Sequence, residues 1–198
     1  MNKYNECKQG HKLGRHRKGP SSFHMQDYQL VFNELKLEEN EVFLDLGCGS
    51  GDYSFEASKR VGQKGIVYAI DGMTSIITKL KEQMQQSGIN NIIAKVSDIT
   101  SNIDLKDNSV DVCFICTVLH SLDIELVKER LFNEICRVLK PGARMFIVEC
   151  KKERMGFGPP LHVRISADNL DKLVEKYNFE KVNYVDFGYN YMNQYIFK

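Results

Sequence analysis

Val42-Phe43-Leu44-Asp45-Leu46-Gly47-Cys48-Gly49-Ser50-Gly51-Asp52 decides the fold of this chain. Mainly apolar strand formers run into an acid, and three glycines follow at alternate positions. This is the pattern of a buried strand that breaks into a glycine-cradled loop and then opens a helix. Twenty residues beyond Gly51, a second apolar run, Gly65-Ile66-Val67-Tyr68-Ala69-Ile70, ends in Asp71. A carboxylate at the end of the second strand of such a unit meets a ribose, so the two runs together point to a cofactor that contains a nucleoside.

Charge and spacing narrow the cofactor. A dinucleotide fold spaces its glycines G-x-G-x-x-G, which brings a pyrophosphate onto bare backbone N–H groups at a helix N-terminus. Here the third glycine comes one residue early, and Asp52 stands where that motif has glycine. Carboxylates at Asp45 and Asp52 would repel a pyrophosphate and attract the ammonium and sulfonium of S-adenosylmethionine (SAM). The loop therefore favours a cationic cofactor over NAD. For the glycines alone, a plain tight turn of an α/β protein is the competing reading.

Leu44 to Gly51, LDLGCGSG, resembles motif I of the class I SAM-dependent methyltransferases. Further blocks follow in that family's order: Asp71 at the end of the second strand, Val96-Ser97-Asp98-Ile99, Asp111 to His120, and Leu139-Lys140-Pro141-Gly142-Ala143-Arg144 as the turn before strand five. The likeness covers roughly residues 23 to 198 and is greatest to the ubiquinone/menaquinone-biosynthesis type and its small-molecule relatives. It implies a Rossmann-like sheet of seven strands, mostly parallel with an antiparallel last strand, and helices on both faces. It also implies SAM as methyl donor and S-adenosyl-L-homocysteine as product. Asp45, Gly47, Cys48, Gly49 and Gly51 would form the cofactor loop, with the backbone at Gly47 and Gly49 holding the methionine portion. Asp71 and Gly72 would lie at the ribose, Met73 on the adenine face, and Asp98 with Ile99 at the adenine edge. Carbonyls near Cys116 and Thr117 would close on the methionine ammonium.

The rest of the chain reads as alternating strands and helices. Apolar strands are expected near 41–47, 65–71, 91–97, 110–118 and 143–150. Between them, helical spacing links Met73, Ile76, Ile77, Leu80 and Met84, and then Ile124, Val127, Leu131, Ile135 and Val138. This alternation predicts a parallel sheet covered on both faces. A first helix through Tyr28, Val31, Phe32 and Leu35 is expected to be capped by Ser21 or Ser22. A last helix, Ser166 to Tyr177, precedes strands near 180–187 and 191–197, and the short Gly188-Tyr189-Asn190 connection makes those two an antiparallel hairpin. Residues 1–20 read as a flexible basic arm and residues 21–198 as one domain, consistent with 198 residues and 42% hydrophobic content.

The chemistry expected of such a domain needs little covalent help. A sulfonium already activates its methyl group, so the protein must align the acceptor for in-line attack and, where the acceptor carries a proton, remove it. His120, after the fourth strand, is the first candidate for that polar role, followed by Glu149 at the end of strand five. The loop Met155-Gly156-Phe157-Gly158-Pro159-Pro160-Leu161-His162-Val163-Arg164 can cover the cleft, with Phe157, His162 or Arg164 toward the acceptor.

The acceptor is read as a small molecule. A net charge of +1 gives no general case for nucleic acid. The Ile115-Cys116-Thr117-Val118 stretch lacks the Asn/Asp-Pro-Pro-aromatic block of base-amine methylation, and Cys113 and Cys116, three apart in a strand, point to opposite faces. Lys8, His11, Lys12, Arg15, His16, Arg17 and Lys18 leave RNA or protein methylation through the arm as an alternative. A SAM-binding partner or sensor without turnover is another. Cys7, His11 and His16 are metal-ligand types on a loose arm with incomplete coordination, so no metal is expected. With no ~20-residue apolar run and a polar start, the chain is placed in the cytoplasm, without a membrane span and with reduced thiols.

Overall fold

The computed structural model describes residues 22–198, so Ser21 and the arm lie outside the described residues. Seven strands form one sheet: β1 (Val42–Leu46), β2 (Ile66–Asp71), β3 (Ile92–Val96), β4 (Val110–Cys116), β5 (Leu139–Cys150), β6 (Phe179–Asp186) and β7 (Asn190–Phe197). Their spatial order is β3-β2-β1-β4-β5-β7-β6. β1 through β5 pair in parallel, whereas β7 runs antiparallel to both β5 and β6. The expected seven-stranded sheet with a reversed last strand is therefore the observed one. The chain moves outward from β1 to β3 and then returns to β4 on the other side of β1. That reversal opens a crevice at the carboxyl ends of β1 and β4.

The helices α1 (Tyr28–Leu35), α2 (Asp52–Val61) and α3 (Thr74–Ser87) cover one face of the sheet; α4 (Ile124–Val138) and α5 (Ala167–Val174) cover the other. Each contributes the stripe its spacing dictates. Val31, Phe32 and Leu35 of α1 are buried with Phe43, Val67 and Phe114 of the sheet, while Leu131, Phe132, Ile135 and Val138 of α4 are buried with Leu44, Ile70 and Ile115. Strand residues alternate between the two cores with period two. Cys113 joins the α4 side and Cys116 the α1 side, so the two thiols do face opposite ways.

Two local expectations are corrected. The first helix is capped by Asp27, whose carboxylate accepts from Gln29 N at 2.9 Å. Ser22 instead opens a separate 3-10 turn, Ser22–His24. A carboxylate adjacent to the helix accepts the free N–H groups of its first turn better than a serine six residues upstream. Strand β5 also starts earlier than expected, at Leu139, directly where α4 ends. Leu139 pairs with Val110, residues 140–143 bulge out of the ladder, and pairing resumes at Arg144 with Val112. Pro141 has no N–H to donate to the ladder, so this bulge takes the place of a turn. At the other end of the domain, Ser166 lies outside the helix expected to start with it and caps α5, its hydroxyl accepting from Asn169 N at 3.4 Å.

Candidate functional site

The crevice is built first from the glycine loop. Gly47 N and Cys48 N both donate to Ile70 O, at 2.8 and 2.9 Å, which fastens the loop to the end of β2. Gly47 has φ +82, and a Cβ added there would lie 2.5 Å from Val118 Cγ2, so the residues after β4 close directly onto this loop. At Gly49, φ is +52 and an added Cβ would meet nothing within 4 Å. The loop thus combines one glycine required by contact with another that borders open space, an arrangement that admits a ligand against bare backbone.

Carboxylates surround that space. Asp71 accepts from Gly49 N at 3.1 Å through Oδ2 and from Met73 N at 2.9 Å through Oδ1. Each oxygen has a second lone pair, so the group can still accept two hydroxyl hydrogens. Asp45 lies beneath the loop, 2% exposed, and accepts from Ser54 Oγ at 2.5 Å. Burial pushes its carboxyl up to about 7, Ser54 opposes that rise, and the charges of Asp71 and Asp52 add to it. Three acids focused on one loop repel a pyrophosphate and suit a cation. Asp98 is exposed in its own turn, accepting from Thr100 N at 2.9 Å, and Ile99 beside it is buried. Met73 is 37% exposed ahead of α3, available as an apolar face. The residues present fit SAM.

Past β4 the backbone turns sharply. Thr117 has φ +56, a strained value for a β-branched residue, and its N–H donates to Val148 O at 2.8 Å. This turn seats Val118 on Gly47 and starts a 3-10 turn, Leu119–Ser121. Glu149, fully buried at the end of β5, holds that turn from below. Its Oε1 accepts from Leu119 N at 2.8 Å, and its Oε2 accepts from His120 Nδ1 at 2.7 Å. A carboxylate can only accept, so Nδ1 is the donating nitrogen, and in the neutral ring Nε2 carries the lone pair. His120 and Glu149, both candidates on sequence, form one dyad.

The loop after β5 is organised differently from the expectation. Arg164 is 4% exposed, and its guanidinium donates to Pro159 O at 2.7 Å, Lys151 O at 3.2 Å, Glu153 O at 2.9 Å and Phe157 O at 2.8 Å. The structure places it as the internal fastening of the loop, with its donors turned onto loop carbonyls instead of toward an acceptor. Phe157 stands edge-on to Tyr189 at 4.6 Å, and His162 is exposed in a third 3-10 turn, Leu161–Val163. Neither hydrogen-bonds to the dyad. Sequence reasoning missed Ser54 and Val118, which become meaningful only when α2 and the loop after β4 are seen against β1. Cys7, His11 and His16 lie outside the described residues.

Residues 37–188 match the model of a family described as a methyltransferase domain. The chain belongs to the class I SAM-dependent methyltransferases. The chain is similar to a SAM dependent methyltransferase from Aquifex aeolicus, whose crystal structure matches with 31% identity and a TM-score of 0.82, covering 91% of this chain and 94% of that one. It is also similar to the 2-phytyl-1,4-naphtoquinone methyltransferase of Nostoc punctiforme, 36% identical over 107 residues, which cover 54% of this chain and 45% of the relative. The ubiquinone/menaquinone biosynthesis C-methyltransferase of Vibrio cholerae is 29% identical over 136 residues, covering 69% of this chain and 46% of the relative. The aligned part of the chain thus spans just under half the length of those two curated relatives. Among the described residues, no helix is long and apolar enough to cross a membrane.

Proposed function

We infer that this methyltransferase moves the methyl group of SAM onto a small-molecule acceptor that loses a proton, with His120 as general base and Glu149 as the residue that positions it. The observation that carries the reading is the 2.7 Å His120–Glu149 contact, set two residues after a Val118 that abuts the glycine loop. The cofactor supplies an activated methyl group on a positively charged sulfur.

The chain's own residues supply the rest. Backbone at Gly47 and Gly49 borders the methionine portion, Asp71 accepts the ribose hydroxyls, Met73 covers the adenine face, and Asp98 with Ile99 lies at the adenine edge. Carbonyls of Cys116 and Thr117, turned by the strained backbone, face the methionine ammonium. Glu149 fixes the imidazole so that Nε2 can take the acceptor's proton, and it stabilises the imidazolium that results. The acceptor class rests on the family and on quinone-acting relatives such as those of Nostoc and Vibrio.

Calorimetry of SAM and S-adenosyl-L-homocysteine, with NAD as control, tests the cofactor. Binding of both, lost in Asp71→Ala and absent for NAD, supports the reading; binding of neither overturns it. His120→Ala should keep SAM affinity and lower turnover about 10²–10⁴-fold. Unchanged turnover in that variant removes His120 from the mechanism.

A further inference from the structure

A second set of polar side chains meets at the same end of the sheet and takes no part in the chemistry above. Gln26, between the first 3-10 turn and α1, donates from Nε2 to Tyr53 OH at 2.7 Å and accepts at Oε1 from Asn190 Nδ2 at 2.8 Å. Ser22 Oγ lies 3.3 Å from Cys116 Sγ at the end of β4. Residues 22, 26, 53, 116 and 190, from four separate stretches of chain, thus form one wall over the ends of β4 and β7. Gln26 and Ser22 are half-buried, while Tyr53, Cys116 and Asn190 are 5%, 8% and 2% exposed.

Asn190 Oδ1 is buried in this wall with no hydrogen-bond partner. Two other buried side-chain oxygens share that condition among the described residues, Tyr177 OH and Asn193 Oδ1. Asn193 is committed to the α5 side through Ala167 and Asp171, and Tyr177 lies in the core beneath α4. Asn190 differs in place. It is the register partner of Cys150, one residue beyond Glu149, and so lies at the carboxyl end of β5, across β4 and β1 from the strands that lead to Asp71 and Asp98. A buried carbonyl oxygen without a donor is costly, and a site built to donate to it recovers that cost.

The wall also carries no charge. Burial holds the Tyr53 hydroxyl far above its ordinary value and pushes the Cys116 thiol up to about 12, so both stay protonated. A phosphate or carboxylate placed here would be buried without a counter-charge and would meet the negative charges of Glu149 and Asp45 felt at Cys116.

We propose that Asn190, Gln26 and Tyr53 form the acceptor-recognition subsite, and that it takes an uncharged group bearing an O–H or N–H, donated to Asn190 Oδ1. This rests on the methyl-transfer reading for the identity of the occupant. The subsite makes the acceptor a neutral hydroxyl- or amide-type molecule at the end it presents to β7, and it assigns selection to residues on the opposite sheet face from the His120–Glu149 dyad.

Matched probes test the subsite in the full-length protein loaded with S-adenosyl-L-homocysteine: phenol against anisole, and hydroquinone against 1,4-dimethoxybenzene, with benzoate and benzylamine as charged controls. Binding is followed on the side-chain amide resonances of Asn190 and Gln26. The hydroxyl member of each pair should bind about five-fold tighter than its ether. That margin should vanish in Asn190→Ala and in Gln26→Leu, with cofactor affinity unchanged. Asn190→Asp should turn the preference toward benzylamine. Equal binding within pairs, no binding, preferential binding of the charged probes, or a margin that survives in both variants overturns the subsite. If the wild type fails to take S-adenosyl-L-homocysteine, the methyl-donor reading fails instead, and the same pairs still decide the subsite on the unloaded protein.

Discussion

Replacing Asp45 with asparagine should stabilise the cofactor-free protein at neutral and alkaline pH and leave it unchanged in acid. Asp45 is 2% exposed, and burial with the nearby charges of Asp71 and Asp52 raises its carboxyl from 3.8 to about 7 despite the Ser54 hydrogen bond. A carboxyl whose folded value exceeds its unfolded one favours the fold while it is protonated. That contribution is complete below 3.8 and is lost as pH rises toward 7, because over this window the native state keeps a proton the unfolded chain has released. At about 1.4 kcal/mol for each pH unit, the loss approaches about 4 kcal/mol above pH 7. An asparagine has no proton to lose and can still accept from Ser54, so its advantage over the wild type should be near zero at pH 4, about 2 kcal/mol near pH 5.5 and up to about 4 kcal/mol at pH 8. Urea unfolding at these three pH values measures it directly. A difference that does not change with pH, or an asparagine variant less stable than the wild type at pH 8, would refute the claim that this carboxylate is held at the expense of stability. SAM should restore the wild type's deficit at pH 8, since a cation beside the loop favours the ionised form.

Other substitutions read other parts of the site. Gly47→Ala combines a φ of +82 with an approach of 2.5 Å to Val118, so it should cost about 1–3 kcal/mol and displace the turn that carries His120; unchanged melting would contradict the contact. Glu149→Leu removes the acceptor of Leu119 N–H and of the His120 ring, leaving buried donors unpaired; a loss of about 2–4 kcal/mol in urea unfolding is expected, and a loss below 1 kcal/mol would contradict it. Arg164→Met releases four loop carbonyls with little effect on the core, so trypsin should cut after Lys151, Lys152 or Arg154 about ten times faster at nearly unchanged Tm. Cleavage at the wild-type rate would show that the loop does not need its fastening.

Whatever is periodic or contiguous in this chain was legible from sequence. LDLGCGSG gave β1, the loop and the start of α2 in one reading, and the stripes of α3 and α4 followed from their spacing. What could not be read was set by contacts between distant residues. Arg164 seemed free to meet an acceptor because no local pattern shows that Lys151, Glu153, Phe157 and Pro159 turn their carbonyls inward toward it. The first helix took Asp27 as its cap because a competing carboxylate lay closer to Tyr28 than either serine. His120 and Glu149 were both visible as polar residues at strand ends, but their contact depends on the β4–β5 register, which pairs Cys116 with Val148 and thereby sets Glu149 beneath the turn after β4. The link from Asn190 to Gln26 spans 164 residues and has no local signature.

The pairing of β7 with β5 also explains why the two polar groups of the site stay apart. Val148 and Met192 are register partners and lie in the core beneath α1 and α2, whereas the next pair, Glu149 and Tyr191, faces the α4 side. The following pair, Cys150 and Asn190, returns to the first face. Over three consecutive rungs at the rim of the sheet, period-two alternation therefore sends the carboxylate that positions His120 to one side and the amide that recognises the acceptor to the other. A slip of one residue between β5 and β7 would carry the Asn190 amide to the α4 face while leaving Glu149 where the β4–β5 register holds it. The amide would then lose Gln26 as its partner. The antiparallel pairing of β7 with β5 does more than finish the sheet, because it sets the Asn190 amide on the face opposite the one where the β4–β5 register holds Glu149.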